Sequence, residues 1–229
     1  DFALPHLPEA EKARIARASL SNAGRTLIEN YSTRDLLARQ ADAQIDGPGL
    51  DAMTQAAQNG QPVILVTGHF GHYEAVRAAL VARGFAVGGL YREMKNPYFN
   101  AHYERTMQAF GGPVFPQGRR GTAGFVRHLK GGGQLVLLFD QHTQGQPVLQ
   151  FMGHDAQTAV SAAELALRYK ALLIPFSGVR QADGLSFACV MATPLPHSHA
   201  GTLTQAMHPR TGARIRHNPQ PWLSLPTPC

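Results

Sequence analysis

The sequence is short of charge and of long apolar runs. Asp, Glu, Lys and Arg make up only 16% of its 229 residues, against about a quarter in ordinary soluble domains. So little charge favours a protein that rests part of its surface on something apolar, although a GC-rich genome produces the same bias in a plain globular domain. No run of about 18 or more apolar residues occurs, so the sequence predicts no transmembrane helix.

Cysteine is also scarce, which excludes a disulfide-stapled secreted fold. The two cysteines, Cys189 and Cys229, lie far apart, and a reducing compartment fits them best. Cys189 lies in the apolar run 185–191, so we predict a buried structural thiol. The chain begins with Asp1 rather than Met, and we therefore expect its natural amino terminus, with any anchor or targeting segment, to be missing.

Several motifs are absent, and each absence removes a class of function. There is no G-x-S-x-G elbow of an α/β-hydrolase, no Walker A loop and no G-x-G-x-x-G, and no standard zinc signature. The net charge is +6 and the pI about 9.7, which favours anionic partners. Because the basic residues are spread singly and in short pairs such as Arg119–Arg120, we predict no nucleic-acid binding.

What the sequence does contain is an alternation of buried strands and helices. Residues 62–67 form a continuous β-branched run between glycines, which is typical of a strand buried on both faces. Similar runs recur, separated by helical stretches of 10–15 residues. We predict one α/β domain over residues 1–229, with a central, mostly parallel mixed sheet flanked by helices. Residues 8–31 predict an amphipathic helix that packs on the domain or lies along a membrane surface.

Polar residues follow three of the predicted strands, where α/β sheets bind their ligands. His69 and Glu74 follow the first, Arg92 the second and Asp140 the third. A turn at Gly68 and Gly71 allows Glu74 to approach His69, and a carboxylate on one imidazole nitrogen leaves the other free to take a proton. We therefore predict that His69 is a general base and Glu74 its partner.

Other interpretations of these residues stay open. A lone histidine beside an apolar strand is commonly structural, and Asp140 is also suited to capping a loop. His72 competes with His69 for the same role. Residue type alone also allows a metal site built from a larger set of candidates: His69, His72, Glu74, Asp140 and His142.

The ordered set of motifs resembles the lauroyl/myristoyl acyltransferases of lipid A biosynthesis. His69-x4-Glu74 resembles the H-x4-D/E motif of glycerolipid-type acyltransferases. Further matching segments follow in the family's order over roughly residues 10–222: 63–74, 91–97, 111–112, 119–130, 135–141 and 151–175.

The resemblance implies transfer of an acyl chain from acyl carrier protein to a hydroxyl of a phosphorylated lipid A precursor, without cofactor or metal. It implies that Arg92 contacts phosphate or the developing oxyanion and that Asp140 holds the shape of the site. Arg119 and Arg120 are assigned to substrate phosphates or the acidic carrier protein, although an ordinary solvated surface explains them equally well. The expected location is the cytoplasmic face of the bacterial inner membrane.

Two departures from the family pattern stand out. The family's hydrophobic anchor helix is missing from the start, and residues from about 208 to 229 form an atypical terminus. Four of the 16 prolines lie in 219–229, which predicts no regular structure there. Rival interpretations are an acyltransferase acting on another membrane lipid, a non-catalytic module that binds anionic lipid, and a metal-dependent hydrolase.

Overall fold

A computed structural model describes residues 3–223, and its central strand is Val63–Thr67. Val63 and Leu65 pack into one hydrophobic core, whereas Ile64 and Val66 pack into another on the opposite face of the sheet. Successive side chains of a strand point to opposite faces. A strand covered on both faces therefore needs apolar residues at every position, which is why 62–67 shows no alternation.

Strands and helices alternate along most of the described chain. The strands are β1 (Ile45–Asp46), β2 (Val63–Thr67), β3 (Val87–Tyr91), β4 (Val114–Pro116), β5 (Gln134–Leu138), β6 (Val148–Phe151), β7 (His154–Gln157), β8 (Leu172–Arg180) and β9 (Phe187–Met191). The helices are α1 (Glu9–Tyr31), α2 (Thr33–Gln40), α3 (Gly49–Gln58), α4 (Tyr73–Ala82), α5 (Pro97–Ala109), α6 (Arg119–Lys130), α7 (Ser161–Tyr169), α8 (Ala200–Gln205) and α9 (Met207–His217).

The central sheet has seven strands in the order β1-β9-β8-β2-β5-β3-β4. All neighbouring pairs are parallel except β8 and β9, which are antiparallel. Side chains from α2, α3 and α4 contribute to one core, and those from α6, α7, α8 and α9 to the other. The prediction of a mostly parallel mixed sheet flanked by helices is confirmed.

Helix α1 lies on the surface of this layered core. None of its residues is fully buried, and Leu20, Leu27 and Ile28 are more than half exposed. Core packing therefore does not explain these three side chains. Within residues 3–223, we find no helix that combines the length and the apolar character needed to span a bilayer.

An ion-paired network holds α1 against the domain. Arg180 at the end of β8 donates to both carboxylate oxygens of Glu29, each at 2.7 Å, and His72 Nε2 lies 3.3 Å from Glu29. Partial burial works to raise the pKa of Glu29, but the hydrogen bonds and charge of Arg180, together with the nearby His72, outweigh it and lower that pKa to about 2.

The Glu29 network predicts a loss of stability in acid. A carboxyl whose pKa is lower when folded contributes stability that is complete above its unfolded pKa of about 4.3 and is lost as pH falls toward 2. We expect Glu29→Gln to lower the free energy of unfolding by about 2 kcal/mol at pH 7. In urea titrations from pH 7 to pH 2.5, this difference from the wild type should shrink below about pH 4.5, whereas exposed Glu93→Gln should show little difference throughout. A pH-independent difference would contradict the assignment.

The carboxyl-terminal part of the described chain is more ordered than we predicted. Residues 207–217 form α9. Residues 219–223 contain a turn and a β-bridge between Trp222 and Phe70, so the prediction of no regular structure is wrong there because neighbouring backbone groups hold this segment. Residues 224–229, including Cys229, lie outside the described residues. The other cysteine, Cys189, is a buried free thiol, and burial raises its pKa to about 11.

Candidate active site

The register of two parallel strands brings His69 and Asp140 together. Thr67 of β2 pairs with Leu138 of β5, and His69 and Asp140 each lie two residues further on. The Phe139 N–H donates to the Thr67 carbonyl at 3.2 Å, which extends the pairing past the end of the strands. The two side chains therefore meet at the carboxyl edge of the sheet, where ligands bind in such folds.

Asp140 makes two hydrogen bonds to the same residue. Its Oδ2 accepts from the His69 backbone N–H at 2.7 Å, and its Oδ1 lies 2.7 Å from the ring nitrogen Nδ1. The Asp140 side chain is 4% exposed and that of His69 is 28% exposed. The carboxylate is therefore shielded from water, which strengthens its interaction with the ring, while the imidazole remains reachable by a substrate.

These contacts define the tautomer of His69. A carboxylate accepts hydrogen bonds, so Nδ1 carries the proton and Nε2 holds the free lone pair. The amide Nε2 of Gln141 lies 3.3 Å from His69 Nε2, so its N–H donates to that lone pair. His69 thus presents a basic nitrogen on its exposed side, opposite the carboxylate, and this arrangement suits removal of a proton from a hydroxyl.

Glu74 lies in a different environment from the one we predicted. It is buried on the first turn of α4, and its Oε2 accepts from Arg77 Nη1 at 3.1 Å. Arg77 also donates to the carbonyls of Val87 and Gly111. The carboxylate that contacts the ring of His69 is Asp140, whereas Glu74 pairs with Arg77, whose other hydrogen bonds tie α4 to β3 and to the turn before β4.

The predicted cationic residues follow strands further along the same edge. Arg92 follows β3, and Arg119 and Arg120 begin α6, just after β4; all three are exposed. In the order β2-β5-β3-β4, with strands about 4.8 Å apart, β3 and β4 lie about 10 and 15 Å from β2. By this spacing the arginines follow the same edge of the sheet as His69, and within residues 3–223 no hydrogen bond joins His69 to any of them.

The remaining metal-ligand candidates do not converge. Asp140 contacts His69, but His72 faces Glu29 and Glu74 faces Arg77. His142 is exposed in the loop after β5. Among residues 3–223, no three His, Cys, Asp or Glu side chains are grouped as metal ligands would be.

An aromatic cluster with Phe139 and His208 buried and Phe151 half-buried lies behind Asp140, and sequence reasoning missed it. The ring of His208 stacks on Phe139, with centroids 5.7 Å apart, and meets Phe151 edge-on at 5.1 Å. Burial lowers the pKa of His208, although the carbonyl of Gln150 and the charge of Asp140 oppose this. Gln141 directly follows Asp140, so its place after a predicted strand could have indicated it. His208 lies on α9, so the rule that ligands bind at strand ends gives no indication of it.

Gly68 lets the carboxylate approach the backbone. A Cβ atom at this position would lie 2.6 Å from Asp140 Oδ2 and 3.0 Å from its Cγ. We therefore expect Gly68→Ala to push the carboxylate away from His69 and to lower activity about 100-fold or more, the cost of misplacing a catalytic group by about 1 Å. Gly89→Ala on β3 is the matched control, because no atom lies within 4 Å of its added Cβ. Equal activities of the two folded variants would contradict the expectation.

Comparison with known protein families gives a match over nearly the whole chain. The family model described as "Bacterial lipid A biosynthesis acyltransferase" matches residues 1–226. A search of curated proteins finds no match. The family match spans the whole described structure, including the strand ends that carry His69, Asp140 and the arginines.

Proposed function

Because this chain belongs to the bacterial lipid A biosynthesis acyltransferases, it is an acyltransferase, and we propose that it moves a fatty acyl chain from an acyl carrier protein thioester to a hydroxyl of a lipid A precursor. The observation that supports this most is the His69–Asp140 pair, with its shielded carboxylate and its accessible basic nitrogen. Acyl transfer to a hydroxyl needs a base of this kind, since an alcohol is a weak nucleophile until its proton is removed.

The reaction follows from this geometry. The acceptor hydroxyl replaces the Gln141 amide at His69 Nε2 and gives its proton to that nitrogen as its oxygen bonds to the thioester carbonyl carbon. The buried Asp140 carboxylate stabilises the resulting imidazolium. The carbon–sulfur bond then breaks, and His69 returns the proton to the departing thiolate. The products are the ester and the free carrier thiol.

Glu74 was predicted to orient His69, and that assignment stays a prediction. The contacts favour Asp140 for the orienting role, because it alone of the two touches the ring. Glu74, neutralised by Arg77, is suited to holding the position of α4, whose preceding turn carries His69.

The arginines along the sheet edge give the acceptor's phosphates a place to bind. Arg92, Arg119 and Arg120 are exposed, and the first turn of α6 carries no acidic residue. Guanidinium groups bind phosphate through paired hydrogen bonds. We assign the three to phosphate binding beside the base, with the acidic carrier protein as the second partner of Arg119 and Arg120.

An apolar surface beside the site suits the membrane from which the acceptor comes. On α1, Leu20, Leu27 and Ile28 are exposed, and the ring of Tyr31 meets that of Phe99 on α5, with centroids 6.2 Å apart. The exposed Tyr98 extends this surface. With exposed basic residues such as Lys95 nearby and a net charge of +6, it fits an anionic bilayer. We place the protein at the cytoplasmic face of the inner membrane.

Vesicle binding tests this surface. We expect the protein to sediment with phosphatidylglycerol vesicles, and the double variant Leu27→Asp, Ile28→Asp to bind about tenfold more weakly or worse, because both charges would have to be desolvated or lifted from the bilayer. Val148→Asp is the matched control, since Val148 is also more than half exposed but lies on β6. Unchanged binding by the double variant would contradict the placement.

A reconstituted assay tests the function itself. The protein is incubated with a mixture of acyl carrier protein thioesters and a hydroxyacylated, phosphorylated lipid A precursor. The mass of the lipid product is then measured by mass spectrometry. We expect the mass of one added acyl chain, and the same result with a chelator present. A parallel reaction offers a glycerophospholipid as acceptor. Acylation of that lipid alone would favour an acyltransferase that acts on another membrane lipid. Binding without any product would favour a non-catalytic module, and activity abolished by the chelator would favour the metal-dependent enzyme.

A further inference from the structure

Residues 219–223, here called the C-terminal strap, are bound to the loop that carries His69. The Gly71 N–H donates to the Pro221 carbonyl at 2.8 Å, and the Leu223 N–H donates to the His69 carbonyl at 2.8 Å. Phe70 and Trp222 form the antiparallel bridge between these two bonds. The strap thus pairs with the His69 loop as a short strand would.

The Trp222 side chain of the strap connects to the segment that carries Asp140, the other member of the His69–Asp140 pair. The Trp222 ring meets Phe151 edge-on, with centroids 5.9 Å apart. Phe151 contacts His208, which stacks on Phe139, the residue before Asp140. A continuous chain of ring contacts therefore runs from Trp222 to the backbone beside the carboxylate.

Helix α1 holds the strap from outside. Ser19 Oγ donates to the Trp222 carbonyl, which leaves the strap enclosed between α1 and the His69 loop. Trp222 is half-buried, and its indole Nε1, an atom that is itself buried, has no hydrogen-bond partner among the described residues. The indole therefore contributes shape and apolar contact rather than a hydrogen bond.

From these contacts we infer that the strap is a positioning element for the base, with Trp222 and Ser19 as its positioning residues. The inference rests on the proposed role of His69. The strap's backbone fixes the His69 loop on one side, and its indole supports the segment of Asp140 on the other. Without the strap, the loop between β2 and α4 loses two backbone hydrogen bonds, and the ring of His69 can leave the carboxylate.

Two truncations test the strap directly. The chain ending at Asn218 lacks it, whereas the chain ending at Leu223 keeps every contact above. We expect the shorter chain to lose about 100-fold or more in kcat, with the KM for the acyl donor changed less than about twofold. The chain ending at Leu223 should match the full chain. Circular dichroism shows whether each variant is folded.

Point variants cover the case in which the truncated chain does not fold. Trp222→Phe keeps an aromatic ring to face Phe151 and shortens the bicyclic indole, whose N–H has no partner, so activity should stay within about threefold. Trp222→Ala breaks the ring chain and should behave like the shorter truncation. Ser19→Ala removes the bond from α1 and should give an intermediate loss.

Nitrogen-15 NMR of the imidazole provides a readout that needs no turnover. The intact chain should show His69 with its proton on Nδ1, assigned by its absence in His69→Ala. The strapless chain and Trp222→Ala should show a tautomer mixture like that of a solvated histidine. If these folded variants keep the Nδ1–H tautomer or full activity, the inference is overturned. If His69→Ala stays fully active while the tautomer still depends on the strap, the proposed function fails and the positioning role stands.

Discussion

Replacing His69 by alanine is expected to lower kcat for acyl transfer about 100- to 10,000-fold, the usual contribution of a positioned base. The imidazole is more than a quarter exposed and makes its hydrogen bonds at the edge of the sheet, so its loss should cost little stability. Initial rates with one acyl carrier protein thioester provide the measurement.

The control for His69 is another histidine at a strand end. His142 is exposed in the loop after β5 and follows Asp140 by two residues. His142→Ala should retain activity within about threefold, because its ring contributes no contact to the pair. Full activity of His69→Ala would end the assignment of His69 as the base.

The second large effect is expected for Asp140→Asn. Both carboxylate oxygens accept from His69, one from the backbone N–H and one from the ring. Asparagine has one acceptor oxygen, so its NH₂ group must face one of these donors. The ring then loses either its orientation or its tautomer, and the imidazolium loses its counter-charge. We expect kcat to fall about 100-fold or more, with a small change in melting temperature.

Glu74→Gln distinguishes the role of the Glu74 carboxylate from that of Asp140. Removing one charge of the buried Glu74–Arg77 pair leaves the Arg77 guanidinium uncompensated, which typically costs about 3 kcal/mol in stability. We expect a lower melting temperature but, at a temperature where the variant is folded, a kcat much closer to the wild type than that of Asp140→Asn. The opposite ranking of the two kcat values would return the orienting role to Glu74.

Much of the fold was predictable from local pattern. The uninterrupted apolar run at 62–67 predicts a strand between two helical layers, and the structure places alternate residues of β2 in two cores. Short elements were harder to predict. The two-residue strand β1 and the hairpin of β6 and β7 have no long apolar run, and β1 also depends on a partner, β9, that is distant in the chain.

The candidate site was predicted only in part, because local pattern indicates the strand ends but not which strands are neighbours. The position of His69 after a buried strand indicates an edge residue. Its partner, however, depends on which strand lies beside β2. Glu74 is five residues away in sequence and Asp140 is 71 away, yet the pairing of Thr67 with Leu138 brings Asp140 to the ring. Proximity in sequence favoured Glu74, whose role as partner stays a prediction, whereas strand register brings Asp140 into contact with the ring.

By itself, the sequence determined the class of fold, the family, the edge of the sheet that carries the polar residues, and His69 as the candidate base. These features depend on hydrophobic period and residue order, which are local properties of the chain. Only the tertiary structure decided that Asp140 holds the ring and that residues 219–223 bind the His69 loop. Each of these contacts joins segments through strand register or backbone hydrogen bonds, whose partners exist only once the sheet has formed.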